Sequence, residues 1–143
     1  MGDGDGRVPG FYGALVWAVV VDGRPVLVAG DGEPGRTWLQ NRQAELLLAA
    51  LAQQEGSIIV GCDCNSKESS SSYRMLAETL ANAAHSRPTF SLPGASPDRN
   101  VQHIDYILYR GNLRANGTYV IHSSGGSDHQ PIVAIFSVPD AHD

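Results

Sequence analysis

The segments of this chain that read as β-strands are apolar on both sides. Successive side chains on a strand point to opposite faces. In the run Ile132-Val133-Ala134-Ile135-Phe136, one face carries Ile132, Ala134 and Phe136, and the other Val133 and Ile135. Earlier in the chain, Val16, Ala18 and Val20 oppose Trp17, Val19 and Val21. A sheet with one face in water alternates apolar and polar residues instead, so both faces of this one require cover. The sequence offers helices for one face only. Five strands spaced ~4.8 Å apart and ~17 Å long leave a second face on the order of 400 Å² in plan. That rivals the largest apolar patch on a soluble monomer. A partner chain, or a second copy of this one forming a homodimer, is expected against it.

Periodicity and punctuation place the elements. At 143 residues the chain has room for one core. Residues 1–12 read as a flexible lead-in, 13–139 as a single domain and 140–143 as a tail. Leu15–Val21 and Pro25–Ala29 flank Asp22-Gly23, a strong hairpin signal. Thr37 followed by Gln40 resembles a capping box. Leu39, Gln43, Leu46, Leu47, Ala50 and Leu51 then recur at helical spacing until Gly56. Ser57–Cys62 reads as a short buried strand. Ser69–Ser72 can cap a second helix, in which Tyr73, Leu76, Ala77, Leu80 and Ala84 share a face. A Pro/Ser/Gly-rich loop (86–100) precedes strands at Gln102–Tyr109, at Leu113–His122 (broken by Asn116-Gly117) and at Ile132–Val138. The fold class is α/β: a mixed, mostly antiparallel sheet of five or six strands with two helices on one face.

Charge and length exclude several functions. A net charge of −5 argues against holding nucleic acid by bulk electrostatics, though not against local contact with a phosphate. The apolar run Phe11–Val21 has 11 residues, short of the roughly 20 a membrane helix needs. The acidic start, Met1-Gly2-Asp3-Gly4-Asp5, lacks the positive segment of a signal peptide, so a soluble, by default cytoplasmic, protein is expected. A bridge between Cys62 and Cys64, one residue apart, is expected to be badly strained, so the pair reads as small buried thiols. A zinc site built on them and a histidine lacks a second close pair. Asn116-Gly117-Thr118 fits a glycosylation triplet but reads as a turn.

Polar residues gather at three strand ends. Asp63 and Asn65 follow one strand and point together, away from Cys62 and Cys64. Asp105 lies inside the apolar stretch His103-Ile104-Asp105-Tyr106-Ile107, and a buried carboxylate there requires a partner, which His129 or His103 can supply. Asp128 and His129 follow Gly125-Gly126-Ser127 at the mouth of the last strand. Asp beside His at the start of a rigid element suits metal-assisted or acid–base chemistry. Each feature has a plainer reading: an Asx turn for Asp63/Asn65, a strand terminus for Asp128-His129.

Three motifs in order, Gly61-Cys-Asp-Cys-Asn65-Ser66, Ile104-Asp-Tyr-Ile-Leu108 and Gly126-Ser-Asp-His-Gln-Pro131, resemble the C-terminal half of the endonuclease/exonuclease/phosphatase (deoxyribonuclease I-like) superfamily. The resemblance implies half of a four-layer α/β sandwich and a divalent-metal-dependent phosphoesterase using Mg²⁺ or Mn²⁺. In that reading Asp63 orients or deprotonates the attacking water, and Asn65 holds Asp63 and a phosphate oxygen. His129, oriented by Asp105, stabilises charge on the phosphorus centre. Asp128, with Asp63, lies at the metal, while His103 and Ser127 lie toward the substrate, a phosphodiester or phosphomonoester. The chain departs from the family pattern in Cys62 for a glycine and His103 for an arginine. Val28-Ala29-Gly30-Asp31 stands where the family commonly carries a histidine turn. The family's first half, with its Asn and metal-binding Glu, has no counterpart. The alternative is therefore a catalytically incomplete remnant or assembly module that needs a second chain or copy to complete the site.

Overall fold

The computed structural model describes residues 17–21, 24–28, 37–89, 102–121 and 127–139. The lead-in, the Asp22-Gly23 turn, His122, Gly125-Gly126 and the tail lie outside the described residues. The elements in chain order are β1 (Trp17–Val21), β2 (Arg24–Val28), α1 (Thr37–Ala52), β3 (Ile58–Asp63), α2 (Ser71–Ala77), β4 (Ala81–Asn82), β5 (Asp105–Arg110), β6 (Arg114–Val120) and β7 (Ile132–Ser137). Strands β1 and β2 form the expected antiparallel hairpin, with Val21 opposite Arg24.

Strand β5 is the middle of the β3-β5-β4 ladder. It pairs antiparallel with β3 from Ile58↔Arg110 to Asp63↔Asp105, and with β4 at Ala81↔Tyr109 and Asn82↔Leu108. One face of this ladder carries Ile58, Val60, Cys62, Tyr106 and Leu108, which form a single buried cluster with Ala44, Leu47 and Leu51 of α1 and Tyr73 and Leu76 of α2. Both helices thus cover the same face. Helix α1 buries a stripe of Gln40, Ala44, Leu47 and Leu51, while Leu39, Leu46 and Ala50 are half-buried at its flanks.

The second face is covered in part by the chain itself. Tyr109 points away from the helices, and its ring meets Phe136 of β7 edge-on at a centroid distance of 5.0 Å. Both edges of β5 are already hydrogen-bonded at Tyr109. Strand β7 therefore cannot extend the ladder there and must lie across its face. Strands β6 and β7 form their own antiparallel ladder, bulged between Ala115 and Gly117. On the outer side of this hairpin Tyr119 and Ile135 are 52% and 54% exposed, so the demand for cover has moved outward by one layer.

Two details differ from the sequence reading. The second helix was expected to run to Ala84. It ends at Ala77 with Glu78 as C-cap, because Asn82 and its neighbour Ala81 pair with β5 instead. The Ser run caps it as expected, Ser70 accepting from the Tyr73 N–H. The cysteines differ more. Cys62 and Cys64 are joined in a disulfide with a Cα–Cα distance of 5.2 Å. That lies within the ordinary range for a bridge. The strand stops at Asp63 and Asn65 adopts a left-handed φ of +43°, so the chain is already contracting where an extended strand would hold the pair apart.

Gly111 opens the β5–β6 connection at φ +89°, and a Cβ there would meet the Ser57 backbone at 2.7 Å. Only glycine lets the chain turn that closely past the start of β3. Leu108 is fully buried at the centre of the helix-side core. Leu108→Ala should cost about 2–5 kcal/mol of stability, read in chemical denaturation as a lower midpoint with an unchanged slope.

Candidate active site

Asp63 and Asp105 end their strands directly opposite each other in the ladder. They alternate with the buried residues Cys62 and Tyr106, so both carboxylates emerge on the face away from the helices. His129, in the segment leading into β7, reaches them from across that face. Its Nδ1 lies 3.0 Å from both carboxylate oxygens of Asp105. Its Nε2 lies 3.5 Å from Asp63 Oδ2. The imidazole is held between two carboxylates, all three side chains being partly buried.

Asp105 is anchored from behind. The buried Thr89 hydroxyl donates to Asp105 Oδ2. The Thr89 N–H donates to the Gln102 carbonyl, and the Thr89 carbonyl accepts from the Gln130 N–H, next to His129. Thr89 therefore ties together the strand end, the segment before it and the segment carrying the imidazole. His85, also buried, sets Nδ1 2.8 Å from the Arg87 carbonyl and Nε2 3.1 Å from the Asp105 carbonyl. Sequence reasoning missed both residues. Thr89 sits inside the expected Pro/Ser/Gly-rich loop, and His85 directly follows the expected helix; neither carries a local signal.

The turn after β3 is pinned from several sides. The Asn65 N–H donates to Asp63 Oδ1 at 3.2 Å, an Asx turn, which is the plainer of the two readings of this pair. The Gln40 amide donates to the Asn65 carbonyl, which employs the side chain expected in a capping box to tie α1 to the turn. The Tyr106 hydroxyl, 2.9 Å from both the Ser66 and His103 carbonyls, shares its proton between them.

The remaining sequence candidates fall nearby. His103 stacks on Tyr106 and sets its Nε2 2.9 Å from His85 Nε2. Burial, with the charge of His85, pushes its pKa below the ordinary histidine value. Ser127 Oγ accepts from the His129 N–H at 3.0 Å. Asp128, partly buried, adds negative potential at His129. Burial opposes charge on His129, but the hydrogen bond and charge of Asp105, followed by the charges of Asp63 and Asp128, outweigh it and raise the pKa.

Asp63, Asp105 and His129 also offer three ligand atoms within 4.8 Å of one another, the one such group among the described residues. Carboxylate oxygens suit a hard divalent cation, so the two carboxylates of this group fit one, whereas His129 in its charged form offers no lone pair to it. With the motifs now placed on one strand rim, the comparison with known proteins is decisive. The model of the Endonuclease/Exonuclease/phosphatase family matches residues 1–129. The chain belongs to this family. No curated protein matches it significantly.

Solved structures agree on the fold. The Bacteroides vulgatus endonuclease/exonuclease/phosphatase superposes with a TM-score of 0.70 at 16% identity, over 82% of this chain and 51% of that one. The Bacteroides thetaiotaomicron mannosyl-6-phosphatase gives 0.60 at 14% identity, over 81% and 52%. The D. rerio TDP2 complexed with single strand DNA product gives 0.59 at 15% identity, over 87% and 61%. The chain spans about half the length of the first two of these structures.

The raised pKa has a signed consequence. His129 gains its partners on folding, so its contribution to stability is complete below the unfolded pKa of about 6.5 and is lost as pH rises through the higher folded value. Titration of the His129 ring protons by NMR should give a midpoint above that of an exposed histidine, and Asp105→Asn should lower it. A midpoint at or below the free value in the wild type would contradict the geometry.

Proposed function

We propose that this chain carries the catalytic rim of a divalent-metal-dependent phosphoesterase, hydrolysing a phosphodiester or phosphomonoester with activated water. The observation that carries the reading is His129 held between Asp105 and Asp63 at the end of paired strands. In this reading the Asp63 carboxylate takes the proton of the attacking water, and Asn65 N–H keeps that carboxylate aimed. Asp105 accepts from Nδ1–H and so fixes the ring's tautomer and favours its charged form. The charged ring then turns Nε2–H toward a phosphoryl oxygen and stabilises the negative charge that develops in the transition state. Asp63 and Asp128 are the residues proposed to hold Mg²⁺ or Mn²⁺. Bound there, the ion would neutralise phosphate charge and acidify water. His103 and Ser127 are assigned to the substrate side. Relatives of the same fold whose names refer to a sugar phosphatase and to a DNA product support phosphate-ester chemistry in general.

A second reading is supported by the exposed outer face of the β6–β7 hairpin and by the half-length match. In it the chain is an assembly module whose site is completed by another chain or a second copy. No helix of the described residues is long and apolar enough to cross a membrane.

Hydrolysis of a p-nitrophenyl phosphodiester with Mg²⁺ or Mn²⁺ separates the two readings. Asp63→Ala and His129→Ala should each lower turnover by on the order of 10²-fold or more, and chelation should abolish it. Absence of metal-dependent turnover at any protein concentration would leave the module.

A further inference from the structure

We propose that Thr89 is a positioning residue: its buried hydroxyl fixes the plane of the Asp105 carboxylate and thereby the aim of the His129 ring. Contact with Asp105 alone leaves that aim open. His129 Nδ1 lies 3.0 Å from each of the two Asp105 carboxylate oxygens, so the imidazole does not choose between them. The last torsion of an aspartate is broad and roughly two-fold, and it offers little resistance to rotation. Main-chain contacts do not add any. The pairing of Asp105 with Asp63 and the His85 ring at the Asp105 carbonyl hold the backbone and leave the carboxylate to turn.

Thr89 supplies the missing restraint. The residue is 1% exposed, and its hydroxyl has Asp105 Oδ2 as its partner. An ionised carboxylate only accepts, so the hydroxyl donates. A hydrogen bond to an ionised acceptor is about twice as strong as a neutral one. The donor is stiff as well, because branching at Cβ restricts χ1.

The Thr89 main chain reaches the other member of the pair. Its N–H donates to the Gln102 carbonyl at 3.1 Å, and its carbonyl accepts from the Gln130 N–H at 2.7 Å. Gln130 directly follows His129. Thr89 thus holds Asp105 through its side chain and the His129 segment through its backbone. The two connections are separable: removing the hydroxyl frees the carboxylate and leaves both backbone bonds in place.

For the rate, this role rests on the phosphoesterase reading. There His129 acts on charge that develops in the transition state, so its aim bears on kcat rather than on KM. A misplacement of about 1 Å at a reacting group can cost about a hundredfold. Thr89 acts one residue further back, through Asp105, and a loss on the order of tenfold is expected from it.

The test uses the full chain with Thr89→Val, close in shape but without the hydroxyl, and Thr89→Ser, which keeps the hydroxyl and loses the methyl. The His129 Nδ1–H resonance is followed by proton–nitrogen NMR in the metal-free protein, an arm independent of the phosphoesterase reading. A downfield, slowly exchanging signal should be present in the wild type and in Thr89→Ser, and lost in Thr89→Val. In Mg²⁺-dependent phosphodiester hydrolysis, Thr89→Val should lower kcat on the order of tenfold with KM unchanged, and Thr89→Ser should restore it. Should Thr89→Val fail to fold, Thr89→Ala takes its place on the same criteria. Loss of the signal in Thr89→Val, in a protein without turnover in any form, would uphold the positioning role and count against the phosphoesterase reading alone. A signal missing from the wild type or retained in Thr89→Val would overturn the proposal. So would a Thr89→Ser variant as impaired as Thr89→Val, or a change confined to KM.

Discussion

Strand β5 is hydrogen-bonded on both edges, and the rest of the molecule is arranged around that fact. With β3 on one side and β4 on the other, it can meet further elements only through its faces. Its alternation decides which ones. Tyr106 and Leu108 enter the core under α1 and α2, and Asp105 and Tyr109 look the other way. Tyr109 receives Phe136, and Asp105 receives His129. One strand thus anchors the apolar core, the start of a second layer and the polar rim.

The rim joins two opposed demands. A half-buried imidazole is disfavoured as a cation by lost hydration, yet Asp105, Asp63 and Asp128 favour that charge and prevail. The balance depends on the carboxylates staying in place. Thr89 and His85 hold Asp105 through its side chain and its backbone. Asp63 is held by the Asn65 turn and flanked by the Cys62–Cys64 bridge.

The hairpin β6–β7 is the beginning of a second sheet rather than an extension of the first. Its inner residue Phe136 packs on Tyr109, while Tyr119 and Ile135 face outward and exposed. The aligned part of this chain covers about half the length of solved structures of the same fold. The exposed outer face of the hairpin is apolar surface of the kind that water disfavours.

The sequence by itself determined the elements that depend on local pattern. The β1–β2 hairpin, the first helix, the Ser cap of the second and the two-sided strand β7 are legible because period, caps and turn residues act within a few positions. The three motifs also named the residues that meet, Asp63, Asp105 and His129. Only the tertiary structure decided how they meet. Tyr109, already paired on both edges, sends β7 onto a face, and Ala81-Asn82 leave the helical pattern to pair with β5. Thr89 and His85 become supports for Asp105, and Cys62 and Cys64 come within bonding reach where the strand gives way to a turn. Each of these outcomes is set by contacts between residues distant in sequence, whose energies no local window contains.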